Sequence, residues 1–287
     1  MKFTVKEPAT LIEFLLNVLH GKSRTGVKSL LSRHLVEVDQ TTISRHDYVL
    51  KTGQLVSIRK NQPSSTAVFR ELKILFEDDD LIVIEKNAGL LSVATDLGTE
   101  KSAHSILSAY VKRAHAKAKL YIVHRLDRET SGVMMFVKKK ELQILLREAW
   151  QKSIAMRSYS AIVEGVVKKD KDVIVSWLKG TDGLRTYTSE KSGEGQKAVS
   201  RYTVIKRSAA YTLVDVELET GRKNQIRIHM QDLGHPVVGD PKYGATKDPL
   251  GRLGLHARIL AFTHPASGES MRFESKIPEI FLELFSE

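Results

Sequence analysis

The apolar residues near the start of the chain recur at helical spacing and then give way to short extended runs. A first helix is predicted from five residues: Leu11, Ile12, Leu15, Val18 and Leu19. A second helix is predicted around Val27, and short strands follow at 35–38 and 55–58. A polar, proline-containing stretch then interrupts the pattern. We therefore predict a small α/β domain over residues 1–62 and a linker over 63–70.

From residue 71 onwards, runs typical of strands alternate with stretches of helical periodicity. The last helix is predicted to end where Gly234 and Pro236 provide a stop signal. The predicted segments are strands at 73–77, 81–85, 133–137, 202–205 and 212–218, and helices at 103–114, 142–150 and 223–233. Residues 71–287 are therefore predicted to form a second, larger domain, with a surface loop at 185–196.

Composition narrows the range of functions. The chain of 287 residues contains no cysteine, which excludes disulfides, thiolate nucleophiles and cysteine-ligated metals. Its charged start, 1–8, does not resemble a secretion signal, and its apolar run at 133–137 is too short to cross a membrane. Four histidines lack metal-ligand spacing, and most are expected to be structural or to contact phosphate: His229, His235, His256 and His264. We expect a cytoplasmic protein without a metal.

Charge is the first indication of a partner. The 45 lysine and arginine residues outnumber the 34 acidic residues, giving a net charge of +11. A surplus of this size favours a polyanionic partner, because every phosphate contact releases a counterion and adds affinity. A basic protein without a nucleic-acid partner would show the same surplus, so charge alone leaves both interpretations open.

The most informative segment is His-Arg-Leu-Asp-Arg-Glu-Thr-Ser-Gly at 124–132. It lies between two apolar strands, so a rigid scaffold would hold a loop rich in functional groups. Two neighbouring arginines surround Asp127 with positive charge, which favours the ionised carboxylate. An ionised carboxylate can attack an electrophilic carbon or remove a proton. Residues 130–132 are expected to close a tight turn, and the alternative for the whole segment is a solvated charged turn.

This segment resembles the catalytic motif of the RluA-type pseudouridine synthases, and further segments resemble that family's motifs in the same order. The stretch 84–91 resembles the first family motif, with Asn87 in place of a proline. The stretch 157–165 resembles the segment that carries the family's active-site tyrosine. The stretch 218–229 resembles the family's Thr-Gly-Arg motif, with Asn224 in place of a histidine. The series is completed by 234–236, 239–244 and 255–257.

The resemblance implies an α+β fold, with a mixed, largely antiparallel central sheet and flanking helices, the pseudouridine synthase fold. It implies an enzyme that isomerises uridine in RNA without a cofactor or a metal. The implied catalytic residues are Asp127 as the carboxylate, Arg227 as its ionic partner and Tyr159 packed on the uracil.

The same resemblance implies how substrate is bound. Arg125 would fill the space left when the target base leaves its stack, and Leu255 would form an apolar wall of the pocket. Lys86 and Arg222 are expected to contact phosphate or the surrounding loops.

The first domain also resembles a known RNA-binding unit. Its Ser-Arg turn, second helix and Val-Glu-Val-Asp strand are similar to the S-four-type RNA-binding domain. This resemblance favours large-subunit ribosomal RNA as the substrate, with transfer RNA as the alternative. A domain that serves only as a structural cap would show the same pattern. Nothing in the sequence indicates an obligate protein partner, so we expect a monomer.

Three other classes of function compete with this interpretation. A protein kinase is rejected, because a leucine interrupts its His-Arg-Asp motif and neither a glycine-rich loop nor Asp-Phe-Gly accompanies it. A glycosidase or nucleoside hydrolase could use Asp127 and Glu129 as a carboxylate pair; it would release free uracil, whereas an isomerase releases none. A non-catalytic RNA-binding protein would leave cellular RNA unchanged when Asp127 is replaced.

Overall fold

A computed structural model describes residues 1–32, 35–39, 41–58, 69–94, 100–180, 186–189 and 191–286. The chain divides into two compact units, Met1–Ala67 with Ile74–Ile82, and Val68–Lys73 with Val83–Glu287. Of the predicted linker at 63–70, all but the last two residues lie outside the described parts of the chain. The domain boundaries therefore stay predictions.

The first unit contains both predicted helices and both predicted strands. The elements up to residue 58 are β1 (Lys2–Thr4), β2 (Ala9–Thr10), α1 (Leu11–Val18), α2 (Arg24–Ser32), β3 (Val36–Val38), β4 (Thr41–Thr42), β5 (Val49–Leu50) and β6 (Leu55–Ile58). Strands β1, β6, β3 and β4 form one sheet in that order, and β2 pairs with β5. The sequence pattern predicted β3 and β6 but missed β1, β2, β4 and β5, which have only two or three residues and show little alternation.

Helix α1 begins where its sequence supplies a capping box. The Thr10 hydroxyl accepts a hydrogen bond from the Glu13 N–H, and the Glu13 carboxylate accepts one from the Thr10 N–H. Leu11 and Leu15 are fully buried in a core that also contains Val27 of α2. The predicted apolar stripe is thus the packed face of this helix.

The elements from residue 69 onwards make a larger set. They are β7 (Leu72–Glu77), β8 (Leu81–Lys86), α3 (Ala103–Ala114), β9 (Tyr121–Ile122), β10 (Ser131–Val137), α4 (Lys140–Glu148), α5 (Trp150–Ser153), β11 (Ile154–Glu164), β12 (Lys171–Gly180), β13 (Thr186–Thr188), β14 (Gln196–Arg207), β15 (Tyr211–Leu218), α6 (Gln225–Asp232), a 3₁₀ turn (Pro241–Tyr243), β16 (Leu255–Thr263), β17 (Ser270–Glu274) and α7 (Glu279–Glu283). No helix in the described parts of the chain has the length and apolar character needed to span a membrane.

The large sheet has the strand order β13-β12-β14-β15-β11-β16-β10-β8-β7, with β17 against β16 and β9 against β10. Strand β11 pairs antiparallel with both β15 and β16, and β14 pairs antiparallel with β12 and β15. Strand β10 instead pairs parallel with β16. The sheet is therefore mixed and largely antiparallel, and with its helices it confirms the α+β class.

Helix α6 packs on one face of this sheet. Ile226 and Met230 share a core cluster with Ala161 of β11 and with Val214 and Val216 of β15. These strand residues alternate along their chains, so they point to one face of the sheet. Because the apolar face of α6 packs against these strand residues, the position of its first turn, which contains Arg227, is fixed relative to the sheet.

A close approach between β10 and β16 corrects the predicted turn at 130–132. Ser131 and Gly132 belong to strand β10, where they pair with His256 and Ala257. The φ angle of Gly132 is +113°, and a β-carbon built there would lie 2.1 Å from the Ala257 carbonyl oxygen. Glycine is required here because any side chain would collide with the neighbouring backbone. The contact brings the 124–130 loop beside the start of β16.

Two further predicted segments are corrected. The helix predicted at 142–150 is divided, since α4 ends at Glu148 and α5 begins at Trp150, and Leu145 of its apolar stripe is 46% exposed. The surface loop predicted at 185–196 contains strand β13, which pairs with β12. Strand β13 forms because its backbone pairs with β12, and local sequence does not encode that pairing.

Because two histidines are buried, we expect the folded protein to lose stability in acid. His229 bonds to the Ser176 and Ser200 hydroxyls, and His256 bonds to those of Ser131 and Ser275. Burial lowers the pKa of each histidine to about 4 from an ordinary 6.5. Between these pH values the unfolded chain binds protons that the folded chain does not, so stability is complete above pH 6.5 and is lost as the pH falls towards 4.

Each histidine is expected to remove about 3 kcal/mol from the free energy of unfolding over this range. Urea denaturation at pH 7 and at pH 4.5 measures the loss. Equal free energies of unfolding at the two pH values would contradict the prediction.

Candidate active site

The loop between β9 and β10 is held by hydrogen bonds to its backbone. The buried Ser92 hydroxyl accepts from the Leu126 N–H at 3.0 Å and donates to the Leu126 carbonyl at 2.7 Å. The Thr130 N–H donates to the Asp127 carbonyl at 3.2 Å and closes a turn. Asp127 therefore projects from backbone that is tied down on both sides.

His124 supports the loop as a neutral ring. Its Nε2 accepts a hydrogen bond from the Met135 N–H at 3.0 Å, and the ring lies 5.1 Å from the Trp150 ring. Burial, and secondarily the charge of Arg157, lowers the pKa of His124 to about 3. The imidazole therefore carries no charge at neutral pH and anchors the loop to β10.

Lys86 contacts the surrounding loops, which is the second of its two predicted contacts, and does not reach a phosphate. Its side chain is fully buried, and its ammonium donates to the carbonyls of Asn87, Leu90 and Arg128 at 2.9, 2.7 and 3.0 Å. Burial lowers the pKa of Lys86 to about 8, against the opposing charge of Glu129. An ammonium enclosed by three carbonyls cannot reach RNA, so Lys86 ties the end of β8 to the catalytic loop.

Replacing Lys86 with methionine should loosen this loop. Lys86→Met preserves the length of the side chain but leaves the carbonyls without a donor, so we expect a loss of about 2 kcal/mol in the free energy of unfolding. A displaced loop should also lower kcat by about 10-fold. Chemical denaturation and RNA turnover measure the two effects. Lys73→Met, at an exposed position of β7, is the control, and equal behaviour of the two variants would refute the anchoring role.

Arg227 joins the predicted carboxylate to a second, buried carboxylate. Its Nη1 donates to Asp127 Oδ2 at 3.1 Å, while Nε and Nη2 donate to the two oxygens of Asp240 at 2.6 and 2.7 Å. The Asp240 side chain is 1% exposed and that of Asp127 is 38% exposed. Burial alone would lower the pKa of Arg227, but the bonds and charges of Asp240 and Asp127 raise it. Arg227 is thus a fixed cation that orients the accessible carboxylate.

Asp127 keeps one carboxylate oxygen available. Its Oδ2 accepts from Arg227, and no other described residue bonds to its side chain. The half-buried position exposes the carboxylate to the pocket while the guanidinium restrains its rotation. This arrangement suits a group that must attack a carbon or accept a proton.

Asn224 and Tyr243 support the same guanidinium. The Asn224 side-chain oxygen accepts from Arg227 Nη1 at 3.1 Å, and its amide donates to the Tyr243 hydroxyl at 2.9 Å. The Arg227 guanidinium carbon lies 4.8 Å from the centre of the Tyr243 ring. Asn224 has a φ angle of +57°, a left-handed conformation that asparagine adopts more readily than most residues. The residue that replaces the usual histidine therefore fits both the backbone and the network.

Gln225 fixes the start of α6, from which Arg227 projects. Its side-chain oxygen accepts from the Arg222 N–H and the Thr220 hydroxyl, and its amide donates to the Val199 carbonyl and to Ser200. Gln225 is 2% exposed, and the two bonds that its amide donates are buried. They attach the helix to β14.

Tyr159 lies on β11 between Val216 of β15 and Ala257 of β16. Burial, together with the nearby charge of Asp127, raises the pKa of Tyr159 above its ordinary value, although Arg157 opposes this change. The hydroxyl therefore stays protonated at neutral pH. It can donate a hydrogen bond, and its ring offers a flat apolar surface.

These residues enclose a pocket of about 420 Å³. Its lining consists of Arg125, Leu126, Asp127, Thr130, Tyr159, Leu218, Gly221, Arg222, Lys223, Asn224, Gln225, Ile226, Arg227 and Leu255. Six of the seven predicted site residues thus meet at one cavity, and Lys86 does not. Arg125 is exposed at its edge, and Leu255 is a buried wall. Glu129 is absent from the lining, which removes the carboxylate pair that a glycosidase would need.

Sequence reasoning missed Asp240, Tyr243 and Ser92 as parts of the site. Asp240 and Tyr243 lie in the 239–244 segment, whose resemblance to the family implies no role for either residue. An acidic residue in a Gly-Asp-Pro turn is ordinarily a solvated turn residue. Only the fold shows that the Asp240 carboxylate is buried against Arg227.

A carboxylate restrained by an arginine, in a pocket walled by tyrosine and leucine on a mixed sheet, defines an enzyme site of the pseudouridine synthase class. The family model described as RNA pseudouridylate synthase matches residues 80–232. The chain therefore belongs to the RNA pseudouridylate synthase family, and its relatives support the RluA type.

Curated relatives and a solved structure agree with this assignment. The chain is 34% identical over 280 residues to ribosomal large subunit pseudouridine synthase D of Pseudomonas aeruginosa, covering 92% of this chain and 87% of that protein. It is 31% identical to the uncharacterized RNA pseudouridine synthase YlyB of Bacillus subtilis, covering 95% and 91%. The structure of human RNA pseudouridylate synthase domain containing 4 is similar with a TM-score of 0.59 and 28% identity, covering 73% of this chain and 90% of that one. The protein is thus an RNA pseudouridine synthase, an isomerase.

Proposed function

We propose that this enzyme converts specific uridines of large-subunit ribosomal RNA into pseudouridine, with Asp127 as the reacting carboxylate. The supporting observation is that Arg227, anchored on Asp240, presents Asp127 to a pocket that also contains Tyr159. Several relatives are named ribosomal large subunit pseudouridine synthase D, which favours this RNA. Transfer RNA is the alternative substrate.

The reaction rearranges the atoms of uridine without losing any. The bond between the sugar and ring nitrogen 1 breaks, the uracil turns within the pocket, and a bond forms between the sugar and ring carbon 5. Carbon 5 gives up a proton and nitrogen 1 gains one, so no cofactor is required. Three roles are open to Asp127: attack on the ribose, attack on the base, or removal of a sugar proton.

The lining of the pocket suits a uracil that has left its stack. Leaving the stack costs a few kcal/mol, which contacts in the pocket must offset. The Tyr159 ring would pack on the uracil and its hydroxyl would assist proton transfer, while Leu255 would hold the opposite apolar surface. Arg125, at the exposed edge, would occupy the space left in the RNA, because a planar guanidinium stacks well between bases.

The first unit would add a second RNA contact. Its two helices and small sheet are compatible with the predicted S-four-type domain over residues 1–62, followed by a linker at 63–70 and a catalytic domain at 71–287. Ribosomal and transfer RNA are found in the cytoplasm, so we propose that the enzyme acts there. We also propose that it acts as a monomer.

Site-resolved mapping of pseudouridine tests the proposal. A strain lacking the gene is compared with its parent over all ribosomal and transfer RNAs. We expect at least one large-subunit position to lose pseudouridine and to regain it when purified protein is incubated with the extracted RNA. Loss confined to transfer RNA would assign the alternative substrate, and no lost position in any RNA would refute the function.

A further inference from the structure

A second groove lies at the end of the sheet, next to the active-site pocket. It has a volume of about 550 Å³. It is lined by Ile154, Ala155, Met156, Arg157, Lys197, Val199, Glu217, Leu218, Glu219, Thr220 and Arg222. Leu218 and Arg222 also line the active-site pocket, so the two cavities adjoin each other.

Two half-buried guanidinium groups lie close together in this groove. Arg157 donates to the Leu218 carbonyl at 3.5 Å, and Arg222 donates to the Lys197 carbonyl at 3.0 Å. Burial, and the repulsive charge of Arg222, lower the pKa of Arg157. Among the described residues, neither arginine forms a salt bridge with a carboxylate. Two neighbouring cations that are paired only with neutral carbonyls leave the groove able to accept an anion.

One of the two acidic residues of the groove is paired elsewhere, because Arg201 on β14 donates to the Glu219 carboxylate. Glu217 also lines the groove. Arg222 lines both cavities, so a cation lies where the groove meets the active-site pocket. A β-carbon on Gly221 would lie 2.3 Å from Arg157 Nη1, so the Arg157 guanidinium packs directly on the Gly221 backbone.

The position of Arg157 relates this cationic site to the target base. Arg157 precedes Tyr159 by two residues on β11, and alternate strand residues point to the same face. An RNA whose flipped uracil contacts Tyr159 would therefore pass its backbone along Arg157 and Arg222. Arginine is well matched to this ligand, because its planar guanidinium can donate two parallel hydrogen bonds to a phosphate.

We propose that Arg157 and Arg222 form a subsite for the RNA phosphodiester that flanks the target uridine. This inference rests on the proposed function, since it assumes that the uridine enters the adjacent pocket. The subsite binds the RNA backbone whichever base is attached. It therefore adds affinity and fixes the direction in which the RNA strand runs past the active site.

The subsite can be tested by binding without turnover. In the Asp127→Asn background, the Kd for a short fluorescent oligouridylate is measured over a series of salt concentrations. Arg157→Gln and Arg222→Gln should each weaken binding about 10-fold at low salt. Each should also reduce the slope of log Kd against log salt by about 0.7, the value for one phosphate contact on a single strand. Lys169→Gln removes an exposed charge elsewhere and is the matched control.

A conservative variant and a kinetic readout separate phosphate binding from other roles. Arg157→Lys keeps the charge but loses the planar fork, so it should keep the salt slope and show intermediate affinity. With substrate RNA, Arg157→Gln should raise KM and leave kcat within about 3-fold. Thermal melting monitored by circular dichroism establishes that each variant is folded.

Two results would overturn the subsite. One is that both glutamine variants keep the affinity and salt slope of Lys169→Gln. The other is that Arg157→Gln lowers kcat at saturating RNA with Kd unchanged, which would assign Arg157 to positioning Tyr159. Failure of the proposed function can be told apart from failure of the subsite. If the proposed function were wrong, wild-type protein would form no pseudouridine, whereas the binding measurement that tests the subsite requires no turnover.

Discussion

Replacing Asp127 with asparagine is expected to lower kcat for pseudouridine formation by about 10³-fold or more, while the Kd for RNA stays within about 3-fold. Asparagine preserves the shape of the side chain and can still accept a bond from Arg227. It can neither attack a carbon as an anion nor remove a proton, and these are the contributions that a carboxylate makes to a rate. Single-turnover measurement of pseudouridine in substrate RNA gives the rate directly.

Glu129→Gln is the matched control for this loss. Glu129 lies two residues further along the same loop but does not line the pocket, so this variant should keep kcat within a few-fold of wild type. Equal and large losses in both variants would contradict Asp127 as the single reacting carboxylate. Free uracil among the products would indicate a hydrolase.

Replacing Asp240 with asparagine is expected to have the second largest effect, although Asp240 does not line the pocket. Asp240 accepts two hydrogen bonds from Arg227 and is 1% exposed. Removing its charge leaves a largely buried guanidinium without its main partner, which should cost roughly 3 kcal/mol of unfolding free energy. Because Arg227 would lose its orientation, kcat should fall by about 10²-fold. Urea denaturation and kinetics below the melting temperature measure these effects.

The role of Asp240 is positional, so its test must separate orientation from general stability. Asp170→Asn breaks an ion pair in which Asp170 is 84% exposed and should change the unfolding free energy by less than about 1 kcal/mol. In Asp240→Asn, kcat should fall while KM changes little, because Asp240 contacts no substrate. An Asp240→Asn protein with the kcat and stability of the control would show that Arg227 needs no anchor.

The residues that we propose to contact substrate could be identified from sequence because they lie in contiguous motifs. Asp127 lies within a nine-residue segment, and Tyr159 and Arg227 lie in segments of the same resemblance. Residues that position or support other side chains were harder to assign. For Lys86 the sequence left contacts with phosphate and with the surrounding loops open, and only its burial against three carbonyls decides for the loops. Charge can be read from sequence, but burial of that charge cannot.

The elements of the fold were predictable where periodicity runs over a full helix or a long strand. Helix α3 and strand β10 agree with their apolar patterns, and α6 ends near its glycine stop signal. Strand β13 was missed because three polar residues show no alternation, and only pairing with β12 makes them a strand. The apolar stripe over 142–150 did not reveal the break between α4 and α5.

The sequence by itself determined the longer helices and strands, the family resemblance and six of the residues that meet at the pocket, and it predicted two domains. Local propensity and contiguous motifs carry that information over short distances along the chain. The tertiary structure alone decided that Arg227 is clamped between Asp127 and Asp240, residues 100 and 13 positions away. It also decided that Lys86 is enclosed and that Arg157 and Arg222 share a groove. Such relations depend on which strands and helices become neighbours, and long-range packing sets that outcome.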